Sequence, residues 1–73
     1  MRQYRWGEDA QGCKRLECTE TETGISHGVI MPFTSWPRRK ALKEKLVLLA
    51  KRVVNKRIDA ELERRRTNAD SVA

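Results

Sequence analysis

The stretch SWPRRKALKEKLVLLAKRVVNKRIDAELERRR, Ser35 to Arg66, decides the fold. Ala, Leu, Lys, Glu and Arg dominate it, all good helix formers, and no glycine or proline follows Pro37. Ser35 is placed to cap free backbone N–H groups, and Pro37 suits a first turn because its missing N–H would have no partner there. The segment 36–66 therefore predicts one long basic helix, running from Pro37 to about Arg66 and roughly 45 Å long at ~1.5 Å per residue.

Its apolar residues fall on two stripes. Leu42, Leu46, Leu49 and Val53 step by four, three and four, which is one helix face. Val47, Ala50, Val54, Ile58 and Leu62 make a second face, rotated from the first. The apolar surface thus drifts around the helix toward its C-terminal end. The expected packing seats the first half on a small sheet and leaves the rest for a partner or a homodimer. A break near Asn55 into two helices is the alternative, and the lack of glycine or proline favours the unbroken form. A heptad register survives only three or four steps before Lys56 interrupts it, so a coiled coil is weakly supported.

Upstream, residues 1–35 read as a small β region. Gln3-Tyr4-Arg5-Trp6 alternates polar and aromatic side chains, the period of a half-buried strand. Gly7 to Gly12 reads as a turn. In the strand-like run that follows, Leu16 and Cys18 share a face that Lys14 and Glu20 continue. Gly24 and Gly28 bracket another turn, and Val29 to Phe33 forms a third apolar run that Pro32 confines to an edge or an end. The expected fold is α+β: a small antiparallel β-hairpin or three-stranded meander followed by one long basic amphipathic C-terminal helix. Residues 67–73 read as a polar, flexible tail. With 73 residues this is one small domain with a thin core.

Charge divides the chain the same way. Met1 to Ser35 carries four basic and five acidic residues; Trp36 to Ala73 carries twelve and five. Nearly all of the net +6 therefore rides on the helix. A concentrated positive field attracts polyanions. Arg38, Arg39 and Lys40 stand at the positive end of the helix dipole, a mildly unfavourable place that an anion would relieve. Lys45, Arg52, Lys56 and Arg38 lie close together at ~100° per residue. An ordinary solvated face is the competing reading. Pairs such as Glu44–Lys40, Asp59–Arg52, Glu61–Arg57 and Glu61–Arg65 would consume part of the charge, and Arg64, Arg65 and Arg66 suit a helix C-terminus.

Other chemistry is sparse. Cys13, Cys18 and His27 supply three zinc-type ligands but no fourth, and an offset of five sends the two cysteines to opposite faces of a strand. Two cysteines are too few for a disulfide scaffold. His27 has no serine–acid arrangement to join, and no glycine-rich phosphate loop is present. No metal site, no cofactor and no enzymatic activity are expected. Tyr4, Arg5 and Trp6 mix aromatic and cationic character as nucleic-acid-binding sheets do, yet a chain with four aromatic residues has need of them in its core. The longest apolar run, Leu46 to Ala50, is too short for a membrane span, and Met1 is followed by no leader-like stretch, so a cytoplasmic protein without membrane attachment is expected.

These features point to a small regulatory protein, of a kind encoded by bacteria, phages or mobile elements. It would bind nucleic acid, or a machine that handles it such as RNA polymerase, and modulate transcription. Arg38, Arg39, Lys40, Arg52, Lys56, Arg57, Arg64, Arg65 and Arg66 are the expected phosphate contacts. Tyr4, Trp6, Leu49, Val53, Ile58 and Leu62 are the expected protein-partner contacts. The alternative is an inhibitor or adaptor whose helix docks in a partner groove without touching nucleic acid.

Overall fold

A computed structural model describes residues 1–72, with side chains described through Asn68. Three strands, β1 (Arg2–Glu8), β2 (Lys14–Glu20) and β3 (Ser26–Ile30), form an antiparallel meander in the order β1-β2-β3, and one helix follows, α1 (Lys40–Val72). This is the α+β architecture the sequence predicts.

The strands are tied by local chemistry. The Asp9 carboxylate accepts the backbone N–H groups of Gln11 and Cys13 at 2.9 and 2.8 Å, folding the β1–β2 connection back on itself. At the next connection Gly24 adopts φ +74°, a conformation that disfavours any side chain, and donates to the Glu20 carbonyl at 2.8 Å. Register then sorts the side chains. Trp6 lies opposite Leu16 and Leu16 opposite Val29, while Tyr4, Cys18 and His27 form the next row. These residues share the face toward α1, with Lys14 and Glu20 continuing it, as expected.

The helix crosses β2 and β3 and leaves β1 at the margin. Leu16, Cys18, Ile25, Met31, Ala50, Val54 and Ile58 form the buried core, flanked by Val29, Phe33, Leu46 and Leu62. Ala50, Val54 and Ile58 step by four along the second stripe, and the small side chain of Ala50 lets the helix approach the sheet closely. Each fully buried large aliphatic residue contributes about 1.5–3 kcal/mol, a large share of the stability of so small a domain.

Four expectations are corrected. First, the middle of the helix packs on the sheet, not its first half; the Leu42–Leu49 side of the first stripe stays exposed. Second, the helix begins at Lys40, and its first hydrogen bond runs from Lys43 N–H to the Arg39 carbonyl. Ser35 therefore does not cap it and Pro37 precedes it. Trp36, held edge-on by Trp6 and Phe33 at 4.9 and 5.2 Å, keeps this segment irregular. Third, Gly28 is no turn but the middle of β3. A Cβ there would stand 3.3 Å from both the Arg15 guanidinium and the Leu16 carbonyl, so the glycine answers to crowding. Fourth, Gly7 belongs to β1, and the turn starts only at Asp9.

The helix is unbroken at Asn55, whose side chain instead binds Arg2 and Tyr4. Its bounds also take in most of the expected 67–73 tail; the side chains from residue 69 on, and Ala73 altogether, lie outside the described residues.

Candidate nucleic-acid interface

The expected phosphate-contacting residues separate into two groups. Among the described residues, Arg38, Arg39, Lys40, Arg52 and Lys56 form no ion pair, and neither does Lys45, which was not among the expected contacts. Lys45, Arg52 and Lys56 fall within ~40° of one another on the side of α1 away from Ala50 and Val54. Arg38 and Arg39 immediately precede the helix and Lys40 opens it, with no acid in the first turn. Three cations there oppose the helix dipole, typically by 0.3–1 kcal/mol each, and a bound anion would reverse that sign.

The remaining arginines are engaged within the chain. Arg64 and Arg65 pair with Glu61 at 3.6 and 3.3 Å, and Arg66 pairs with Glu63 at 3.8 Å. Such exposed pairs are weak, about 0.2–1 kcal/mol, but they leave the stretch 59–66 with three acids against three bases. Arg57 donates from Nη1 to the Gly28 carbonyl at 2.6 Å. In this ladder Met31 N–H bonds the Lys14 carbonyl and Glu20 N–H bonds the Ile25 carbonyl. Counting inward from those pairs, the Gly28 carbonyl points away from β2 toward the open edge. Arg57 therefore covers a strand edge.

Of the four pairings read from helix spacing, only Glu61–Arg65 forms. Asp59 does not serve Arg52. It binds Arg2, which also reaches Glu20 at 3.3 Å and the Asn55 side chain at 2.8 Å. Asp59 first, and Glu20 after it, hold the Arg2 pKa above its ordinary value against the opposing effect of desolvation. Glu20 accepts the Glu22 N–H and an Arg2 N–H, and its carboxyl is held below the usual range.

Leu48, Leu49 and Leu42 are 66, 51 and 43% exposed and line a shallow groove with Leu46, Lys45 and Arg52. Apolar and cationic side chains are thus interleaved on one surface. Of the expected partner contacts, Leu49 lies there. Val53 is half-buried beside it, Leu62 packs against the core, and Ile58 is fully buried and spent on the fold. Leu48 belongs to neither stripe drawn from the sequence. Adjacent leucines 100° apart cannot both face one narrow sheet, and that pairing was the signal for it.

Tyr4 and Trp6 are partly exposed, 39 and 36%, so of the four aromatic residues only Phe33 packs against the core, with Trp36 and Trp6 stacked edge-on outside it. Trp36 sits at the junction of sheet and helix, as expected. Cys18 lies under the helix, where burial raises its thiol pKa, and Cys13 is half-buried in the β1–β2 connection. His27 Nε2 stands 3.4 Å from Glu61, without a hydrogen bond. Among the described residues no three His, Cys, Asp or Glu side chains converge on a point that would hold a metal, and no helix is long and apolar enough to cross a membrane. No protein-family model, no curated protein and no solved structure matches the chain.

Proposed function

We propose that the protein is a small non-enzymatic regulator that binds nucleic acid, or a nucleic-acid-processing machine such as RNA polymerase, through the first half of α1. One observation carries this reading: Arg38, Arg39, Lys40, Lys45, Arg52 and Lys56 hold six positive charges with no carboxylate set against them. Unpaired, solvated cations lose little when they exchange water and counterions for phosphate, and counterion release drives the binding. If all six engage a duplex, affinity falls about 10³-fold between 50 and 200 mM salt. Fluorescence anisotropy on a labelled 20-bp duplex measures this. Binding that is flat with salt, or absent at 50 mM, would sink the proposal.

The exposed Leu42, Leu48 and Leu49 favour a second reading, docking in a protein groove, in which the cations serve on-rate and solubility. Leu48→Ser separates the two without adding a charge among Lys45 and Arg52. At 66% exposure Leu48 is outside the core, so the substitution spares the fold; it should abolish groove docking and leave phosphate binding intact.

A further inference from the structure

We infer that the outer margin of the sheet, where β1 runs beside the segment that leads into α1, is a stacking strip for the unpaired bases of a single-stranded nucleic acid. The inference rests on the phosphate-binding reading above and specifies its ligand. Tyr4 and Trp6 stand on the helix-side face of β1, yet α1 passes over β2 and β3 and does not cover them. They are two residues apart on one strand, about 6.6 Å at ~3.3 Å per residue. Trp36 extends the row, its ring 4.9 Å from that of Trp6, and leads two residues later into Arg38.

The rings are held in place. The Tyr4 hydroxyl accepts an N–H from the Asn55 side chain at 2.9 Å, and Phe33 braces Trp36. Lys51 Nζ lies 4.9 Å from the Tyr4 centroid and Lys43 Nζ lies 5.6 Å from that of Trp36. Each lysine lies over its ring, so a base stacking on that face displaces the ammonium toward the strand's own phosphates. The acids of this margin are neutralised: Glu8 by Lys14 at 2.8 Å, and Glu20 and Asp59 by Arg2. Among the described residues Asp9, Glu22 and Glu44 form no ion pair, and the Asp9 carboxylate is taken up by the backbone N–H groups of Gln11 and Cys13. In a duplex each base face is covered by its neighbours, so the strip selects single strands; phosphate contacts alone would not.

The test uses the full chain, a 15-nucleotide oligo-dT and oligo-U, a duplex of equal length, and polyglutamate. Binding is followed by anisotropy and by the emission of Trp6 and Trp36. Saturating single strand should quench tryptophan emission and duplex should not. Trp6→Ala should weaken single-strand binding about 5- to 150-fold, the loss of one stacked base, and leave duplex binding unchanged. Trp6→Phe, which keeps an aromatic ring at that position, should recover most of the binding that Trp6→Ala loses. Salt-sensitive binding to both forms without quenching would overturn the strip and leave the phosphate reading standing. Absence of binding to either would overturn both. Equal quenching by polyglutamate would overturn the strip in favour of an acidic protein partner. Quenching is read on the unsubstituted chain, so the result holds even if Trp6→Ala fails to fold.

Discussion

Between Lys40 and Arg57 the helix carries seven cations and one acid; between Ile58 and Arg66 it carries three of each. The exposed large apolar residues fall on one side of that boundary. Leu42, Leu48 and Leu49 all precede Arg57, while Ala50 and Val54 of the same stretch join Ile58 and Leu62 on the sheet. One stretch of a continuous helix has its charges paired within the chain; the other keeps most of its cations unpaired and three leucines exposed. Net charge alone would weight the Arg64–Arg66 run as heavily as any other cluster. Where the carboxylates sit is what separates the two.

The sharpest test of this contrast is a pair of truncations. Ile58→Ala should cost about 2–5 kcal/mol in thermal or denaturant unfolding, a large share of the stability of a domain this size. Leu48→Ala should change it by no more than ~0.5 kcal/mol. A comparable loss from both would mean that the exposed leucines are covered by self-association, and the Leu48 effect would then depend on protein concentration. Next in size is charge reversal. Glutamate at Lys45, Arg52 and Lys56 together should flatten the salt dependence of duplex binding by about three units of slope, roughly one per lost contact. The same change at Arg64, Arg65 and Arg66 should leave the slope nearly unaltered. Equal effects would erase the distinction between the halves.

A smaller effect is expected at the joint between β1 and α1. Asn55→Ala removes the partner of both Arg2 and Tyr4 and should cost about 1 kcal/mol in stability. The smallest concerns acid. Glu20 has a lower pKa in the fold than in the unfolded chain, so its contribution is present above the ordinary carboxylate value of about 4.3 and disappears as pH falls through its lower folded value. Melting curves from pH 6 to pH 2 should show a shallower acid decline for Glu20→Gln. An unchanged slope would remove Glu20 from the account.

The sequence was most legible where one signal had one meaning. Absence of glycine and proline after Pro37 gave a continuous helix, and alternation gave the Leu16–Cys18 face. It was least legible where two surfaces competed. Both stripes of α1 are apolar, but seven-residue strands span only about 23 Å against a helix about 50 Å long. Which stripe the sheet takes depends on close approach at Ala50, a property of the assembled layers. Asp59 offers the same lesson: helix spacing assigns it to Arg52, while the structure gives it to Arg2, 57 residues away in the chain. Gly28 looked like a turn because glycine has two uses, and the crowding by Arg15 and Leu16 exists only after β2 and β3 have paired.

The Arg57–Gly28 bond has a consequence for the protein at high concentration. A three-stranded sheet has two open margins, and each invites a stray strand from another molecule to add to it and seed a fibril. At β3 a newcomer must first evict a guanidinium from the carbonyl at the strand's midpoint, and it would bring a positive charge into its own path. The arginine that sequence alone assigns to phosphate thus guards this protein's solubility, and a chain lacking it would be the first to precipitate.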